Sequence, residues 1–184
     1  MHELLESSQV VINTLIQSLV HDYKYDASQI KTDAESLEHW GKDWTKHFAS
    51  AAAAIVFPKT TEQVQTIVLL ANEHNVVLTP SGGRTGLSAG AVAANGEIVV
   101  SMDKMNQIGQ FYPADRIVEV EAGVVTQQLQ EFAESKDLYY PVDFASAGSS
   151  QIGGNIDTNA GGIKVIRYGI IRQWVMGLTV VTGK

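Results

Sequence analysis

Two glycine-rich runs hold the residues of this chain whose types and spacing best suit ligand chemistry. The first, Pro80-Ser-Gly-Gly-Arg-Thr-Gly-Leu-Ser-Ala-Gly90, sets four glycines and one Arg among hydroxyl side chains. Glycine lets a backbone take φ > 0 and approach a ligand without a Cβ in the way. Consecutive exposed N–H groups then form a concave donor surface suited to an anion such as phosphate. An ordinary glycine-rich turn is the other reading of the same residues. The second run, Ala145 to Gly162, has five glycines and six Ser, Thr or Asn residues. Its middle, Ile152 to Asn159, reads as a short helix with Gly153 and Gly154 at or just inside the N-terminus. Helix N-termini favour anions. Long low-charge glycine loops inside a compact domain are functional or disordered, and the ordered strands expected on either side favour function.

Rival chemistries fall away on composition. The chain has no cysteine, which excludes disulfides, thiol nucleophiles and Cys-based zinc sites. His2, His21, His39, His47 and His74 are scattered without ligand spacing, so neither a metal site nor a catalytic residue is assigned. Gly177 to Lys184 has one residue too many for a P-loop and no Ser or Thr after the Lys. Gly82-Gly83-Arg84-Thr85-Gly86 has the wrong spacing for a dinucleotide fingerprint and leads to a strand instead of a helix. Ser146, Ser149 and Ser150 lack a nucleophile-elbow pattern. A net charge of −7 without a basic block argues against nucleic acid as a partner. The N-terminus has no signal-peptide pattern and no apolar run reaches transmembrane length, so a cytoplasmic protein is expected.

The elements that must position the two runs follow from periodicity. Residues 8–20 read as an amphipathic helix with Val11, Leu15, Ile16 and Leu19 on one face. A polar, irregular stretch to about residue 48 follows, holding Trp40 and Trp44, the two aromatics spaced for helix-face packing or for stacking on a ligand. Ala53 to Phe57 is a strand stopped by Pro58, and Thr60 with Gln63 makes a capping box for a helix carrying Val64, Ile67, Val68 and Ala71 inward. Strand Val76 to Thr79 completes a βαβ unit, predicting a parallel strand pair. Glu97 to Ser101 and Ile117 to Glu121 are further strands. A helix from about Thr126 turns Leu129, Phe132 and Ala133 inward, and Leu138 to Val142 is extended. A last strand is predicted from Trp174 to Val181, at a sheet edge. The abrupt stop at Lys184 suggests a truncated chain. Residues 1–50 are expected as an N-terminal helical segment, 51–110 and 111–184 as two subdomains.

Taken together, the two runs resemble the paired FAD loops of the FAD-linked oxidase family, whose fold is named for p-cresol methylhydroxylase (PCMH) and vanillyl-alcohol oxidase (VAO). Trp40-Gly-Lys-Asp-Trp44, Phe57-Pro-Lys-Thr-Thr-Glu-Gln-Val64, Val120-Glu-Ala-Gly123, Arg167-Tyr-Gly169 and Gly177-Leu-Thr-Val-Val181 fit the same pattern in order. Within the family the chain is most similar to the branch of glycolate oxidase subunits, D-lactate dehydrogenases and D-2-hydroxyglutarate dehydrogenases. The resemblance implies an α+β, PCMH/VAO-type FAD-binding domain of two small α/β subdomains, truncated before its last strands and its substrate cap.

By the same resemblance, Pro80, Gly82, Gly83, Arg84, Thr85, Gly86, Leu87, Gly90 and Ala91 would wrap the FAD pyrophosphate. Pro141, Gly148, Ser150, Gly153, Gly154, Asn155, Asn159, Ala160 and Gly161 would approach the flavin and ribityl chain. Arg84 stands where some family members carry a His bonded covalently to FAD, so a noncovalent flavin is implied. Arg84 itself either offsets pyrophosphate charge or faces solvent. The implied activity is oxidation of a small 2-hydroxy acid by hydride transfer to flavin N5. The substrate would be held by a cap that these residues do not include, leaving the fragment inactive alone. The alternatives are a catalytically silent fragment without flavin and a relative of UDP-N-acetylenolpyruvoylglucosamine reductase.

Overall fold

A computed structural model describes residues 2–45 and 47–183 of the chain. They form two compact units: Met1–Ser81 with Gly86–Ser101 and Val180–Lys184, and Gly82–Thr85 with Met102–Thr179.

The first unit is a four-stranded sheet with two helices packed together beside it. Helix α1 (His2–His21) buries Leu15 and Leu19 of the predicted face together with Ile12, leaves Val11 and Ile16 half-buried, and packs against α3 (Thr61–His74). Strands β1 (Ile30–Lys31), β2 (Ala54–Val56), β3 (Leu78–Ser81) and β4 (Ile98–Ser101) lie in the order β1-β2-β4-β3. Strands β2 and β3 both run parallel to β4, which lies between them. The βαβ unit therefore joins parallel strands that are not neighbours: the long excursion after β3 returns to lay β4 in the gap. Strand β3 also begins two residues later than predicted and takes in Pro80 and Ser81. As the sheet's edge strand it tolerates the missing N–H of Pro80.

Thr60 caps α3, its hydroxyl accepting from the Gln63 N–H at 3.2 Å. The reciprocal half of the capping box is rerouted. Gln63 Oε1 accepts from the Lys59 N–H at 2.7 Å and from Gln29 Nε2 at 2.9 Å. Helix α2 (Ala34–Trp40) ends at Trp40, whose ring meets Phe57 edge-on at 5.2 Å over a core of Ala52, Ile55, Ala93 and Val99. Trp44 lies beyond that helix and is 68% exposed, so only Trp40 packs on a helix face.

The second unit pairs β5 (Ile108–Tyr112) with β6 (Ile117–Val120) in an antiparallel hairpin. Strand β5 has no strong apolar alternation of its own and owes its state to β6. Helix α4 (Thr126–Glu134) and helix α5 (Ile152–Asp157) close a core of Val124, Leu129 and Ile152, with Ile108, Val118, Val120 and Tyr140 against it. Leu129 is buried and Phe132 half-buried, its ring edge-on to Phe111 at 5.7 Å. A short helix α6 (Val165–Tyr168) and a 3₁₀ turn, Ile171–Trp174, follow.

The predicted strand from Trp174 to Val181 does not form. The chain there is irregular, and Met176 and Leu178 are 77% and 61% exposed. β-propensity becomes a strand only where a neighbouring strand supplies a ladder and a packed face, and this segment has neither. The second glycine run is accordingly followed by the short helix α6 and the 3₁₀ turn instead of a strand.

Candidate functional site

Strands β3 and β4 end side by side, with Ser81 opposite Ser101. The carboxyl ends of parallel strands are where open α/β sheets bind ligands. Ser81 is 1% exposed, and its hydroxyl has no hydrogen-bond partner among the described residues. Also in the first unit, the Gly86 carbonyl accepts from the Trp44 N–H at 3.0 Å. A Cβ at Gly90 would meet nothing within 4 Å, Leu87 is exposed, and Ala91 is half-buried.

The first run's glycines do not serve left-handed turns. None of Gly82, Gly83, Gly86 and Gly90 has a positive φ; Arg84 (φ 57°) and Ala89 (φ 62°) take that conformation instead. In the second unit, glycine at 83 permits close approach. A Cβ there would strike the Ser149 carbonyl oxygen and lie 2.8 Å from Ser150 Cα, so the two glycine runs touch backbone to backbone. A Cβ on Gly82 would sit 3.4 Å from Gln151 Oε1. The N–H groups of Gly82, Gly83 and Thr85 donate to no acceptor among the described residues.

Arg84 does not face solvent: its side chain turns back onto the run's own backbone and onto a carboxylate. Its Nη1 donates to the Gly82 carbonyl at 2.9 Å and pairs with Asp103 Oδ1 at 3.4 Å, its side chain 19% exposed. Asp103 Oδ1 also accepts from Gln151 Nε2 at 2.8 Å. Sequence reasoning missed Asp103 and Gln151. The available signal was an acid two residues after a strand end, and an amide directly before a glycine-rich helix.

In the second run the two helix-start glycines differ. Ile152 and Gly153 donate to the carbonyls of Val124 and Ala122 at 2.9 and 2.8 Å, consuming the first N–H groups of α5. A Cβ on Gly153 would sit 2.7 Å from Ala122 Cβ, so this glycine serves helix packing. Gly154 is open: nothing lies within 4 Å of its Cβ position, and its N–H has no partner among the described residues. Asn155 is buried and donates from Nδ2 to Thr126 Oγ1 at 2.7 Å; that oxygen lies 2.8 Å from Ser150 Oγ. Ser150 and Asn155 thus belong to a buried network centred on Thr126, a residue that sequence reasoning did not single out.

Asn159 is left-handed (φ 50°), and its Oδ1 is buried without a partner. The Ala160 N–H donates to the Asn155 carbonyl at 2.8 Å, and the Ala160 carbonyl accepts from the Ile171 N–H at 3.1 Å. A Cβ at Gly161 would approach Ile170 Cγ2 at 3.3 Å, and one at Gly148 would approach Gln127 Oε1 at 3.2 Å. Pro141 is buried, preceded by Tyr140, whose phenol burial pushes up to about 12. The Lys164 ammonium, 2.8 Å from Asp143, holds that carboxyl below its usual range.

The unmatched groups fit FAD. Backbone N–H groups without acceptors, in the first run, suit phosphate oxygens. Buried amide oxygens without donors, Gln151 Oε1 and Asn159 Oδ1, suit hydroxyls or a ring N–H. A dinucleotide with a polyol chain supplies both kinds of partner.

The family model described as "FAD binding domain" matches residues 52–184. The chain belongs to this FAD-binding family. It is 70% identical over 159 residues to the D-2-hydroxyglutarate dehydrogenase of Stutzerimonas stutzeri (strain A1501), covering 86% of this chain and 34% of the relative. It is 40% identical over 150 residues to the mitochondrial D-2-hydroxyglutarate dehydrogenase of Danio rerio, covering 82% and 28%. The chain thus spans about a third of the length of the curated relatives it matches.

Among solved structures, an alkyldihydroxyacetonephosphate synthase superposes with TM-score 0.79 at 20% identity, covering 88% of this chain and 34% of the other. A p-cresol methylhydroxylase does so with TM-score 0.67 at 24% identity, covering 83% and 30%. These give the fold: an α+β, PCMH/VAO-type FAD-binding domain. Among the described residues no helix is long and apolar enough to cross a membrane, and no group of three or more acids or histidines could hold a metal ion.

Proposed function

We propose that this chain is the FAD-binding portion of a dehydrogenase that oxidises a small 2-hydroxy acid, D-2-hydroxyglutarate first among the candidates. The observation that carries the reading is 70% identity over 159 residues to a D-2-hydroxyglutarate dehydrogenase. The reductase alternative has no such support. FAD, when bound, supplies the acceptor for the hydride that leaves the substrate's carbinol carbon.

This chain's own residues bind and orient. The N–H groups of Gly82, Gly83, Thr85 and Gly154 donate to the cofactor, Gly86 and Gly90 keep side chains out of its way, and Gly161 is a further proposed contact. Pro80, Leu87, Ala91, Pro141, Gly148, Asn159 and Ala160 complete the proposed contacts, while Gly153, Ser150 and Asn155 support them from within the fold. The two proposed subdomains are 51–110 and 111–184. The flavin is held noncovalently: the chain lacks cysteine, and position 84 of the first run is an Arg paired with Asp103. The substrate is taken up by a cap outside these residues. The cytoplasm is the proposed location, supported by the bacterial relative at 70% identity; the Danio rerio relative is named as mitochondrial.

The purified chain mixed with FAD is expected to keep flavin absorbance through desalting and to release it to the supernatant on acid precipitation. A colourless protein that takes up no added FAD overturns the cofactor reading, and flavin that stays in the precipitate overturns the noncovalent one. Anaerobic D-2-hydroxyglutarate should bleach the flavin of the holoprotein extended by its cap. Faster bleaching by D-lactate or glycolate would reassign the substrate.

A further inference from the structure

In the second unit, four residues of the first glycine run sit beside one acid that the flavin reading leaves without a role. Arg84 has a backbone conformation (φ 57°) that side chains with a Cβ rarely adopt. Its guanidinium folds back on the Gly82 carbonyl at 2.9 Å and pairs with Asp103 at 3.4 Å. Asp103 in turn accepts from Gln151 Nε2 at 2.8 Å, and Gln151 is the residue that leads into α5. A carboxylate can only accept, so one side chain receives donors from both glycine runs at once. In the same run, the N–H groups of Gly82, Gly83 and Thr85 find no acceptor among the described residues.

We propose that Asp103 is a positioning residue for the cofactor. Through Arg84 it locks the first run in its left-handed turn, so that the unmatched N–H groups are fixed before FAD arrives. Resting on the flavin reading above, the proposal gives Arg84 a conformational role and no direct charge contact with the pyrophosphate. Preorganisation of this kind raises affinity by removing the ordering cost of binding.

Three variants separate conformation from charge. Arg84→Ala and Arg84→Gly both delete the guanidinium, but only glycine accepts a positive φ without strain. In titrations of FAD fluorescence quenching, Arg84→Ala and Asp103→Ala should each weaken binding about tenfold, the factor that one residue's left-handed strain is worth. Arg84→Gly should stay within about threefold of wild type, since it relieves the strain that the clamp opposes. Adding Asp103→Ala to Arg84→Gly should then cost little more. Equal weakening by Ala and Gly at position 84 overturns the clamp in favour of direct charge pairing.

A readout without flavin decides the clamp by itself. Trypsin should cut after Arg84 several-fold faster in Asp103→Ala than in wild type, at matched cutting elsewhere. Unchanged cutting there overturns the proposal even if FAD binds. A wild-type chain that quenches no FAD fluorescence overturns the flavin reading, while the tryptic rate still decides whether Asp103 orders the loop.

Discussion

At the scale of single residues, adjacent glycines of the same motif have different physical duties. Gly153 faces Ala122, with its Cβ position 2.7 Å from the Ala122 Cβ and 3.0 Å from the Ala122 carbonyl oxygen, whereas Gly154 faces open space. Gly153→Val is therefore expected to cost about 1–3 kcal/mol of stability, the usual penalty of overpacking, read from denaturant midpoints. Gly154→Ala should hold or gain stability, since alanine outranks glycine in a helix by roughly 0.5–1 kcal/mol. The same Gly154→Ala change should weaken FAD binding. Unchanged FAD affinity would remove Gly154 from the contact surface, and an unaffected denaturant midpoint for Gly153→Val would show that α5 can shift away from Ala122. Thr126 makes a related case. With its hydroxyl 2.7 Å from Asn155 Nδ2 and 2.8 Å from Ser150 Oγ in a buried setting, Thr126→Val strands both partners. A loss of about 1–3 kcal/mol is expected, and Thr126→Ser should recover most of it. Motif resemblance could group these residues but could not sort them, because the sorting depends on which backbone lies across from each Cα.

At the scale of elements, the helices with strong local signals were legible, whereas α2, within a stretch that reads as irregular, was not. The apolar stripe of α1, the Thr60 cap of α3 and the start of α4 at Thr126 lie within a few residues of the structure they specify. Strands were less legible because half of each signal belongs to a partner. Strand β5 was missed, the order β1-β2-β4-β3 was not foreseen, and the segment after Trp174 has strand-forming residues but no ladder. One element-scale contact is testable by pH. Lys164, at the N-terminal end of α6, pairs with Asp143, which holds the Asp143 carboxyl low and raises the Lys164 ammonium. A depressed carboxylate contributes stability above its unfolded value of about 3.9, and that contribution disappears as pH falls through the folded value. A raised ammonium contributes below its unfolded value of about 10.4, and loses that contribution as pH rises through the folded value. Wild type should therefore melt slightly above Asp143→Asn across the neutral range, with the curves converging in strong acid. A constant gap down to the lowest pH would mean that Asp143 acts through packing and not through its charge.

At the scale of the whole molecule, the second unit leaves apolar side chains in water. Ile163 and Ile166 are 83% and 100% exposed, and Met176 and Leu178 are 77% and 61% exposed. Single exposed apolar residues are ordinary, but several within sixteen residues form the kind of surface that associates. The chain spans about a third of its curated relatives, so their remaining length contains ample material to cover such a segment. Without it, copies of the chain are the nearest apolar surface on offer. Concentration-dependent self-association is therefore expected by light scattering after size exclusion. Ile163→Lys with Ile166→Lys should reduce it without lowering the melting temperature, because neither side chain is buried. If the doubly charged variant associates as strongly as wild type, these residues are not the contact, and the exposed edge of β3 becomes the surface to block next. Loss of melting temperature in the variant would instead show that Ile163 and Ile166 are covered in solution by the chain itself.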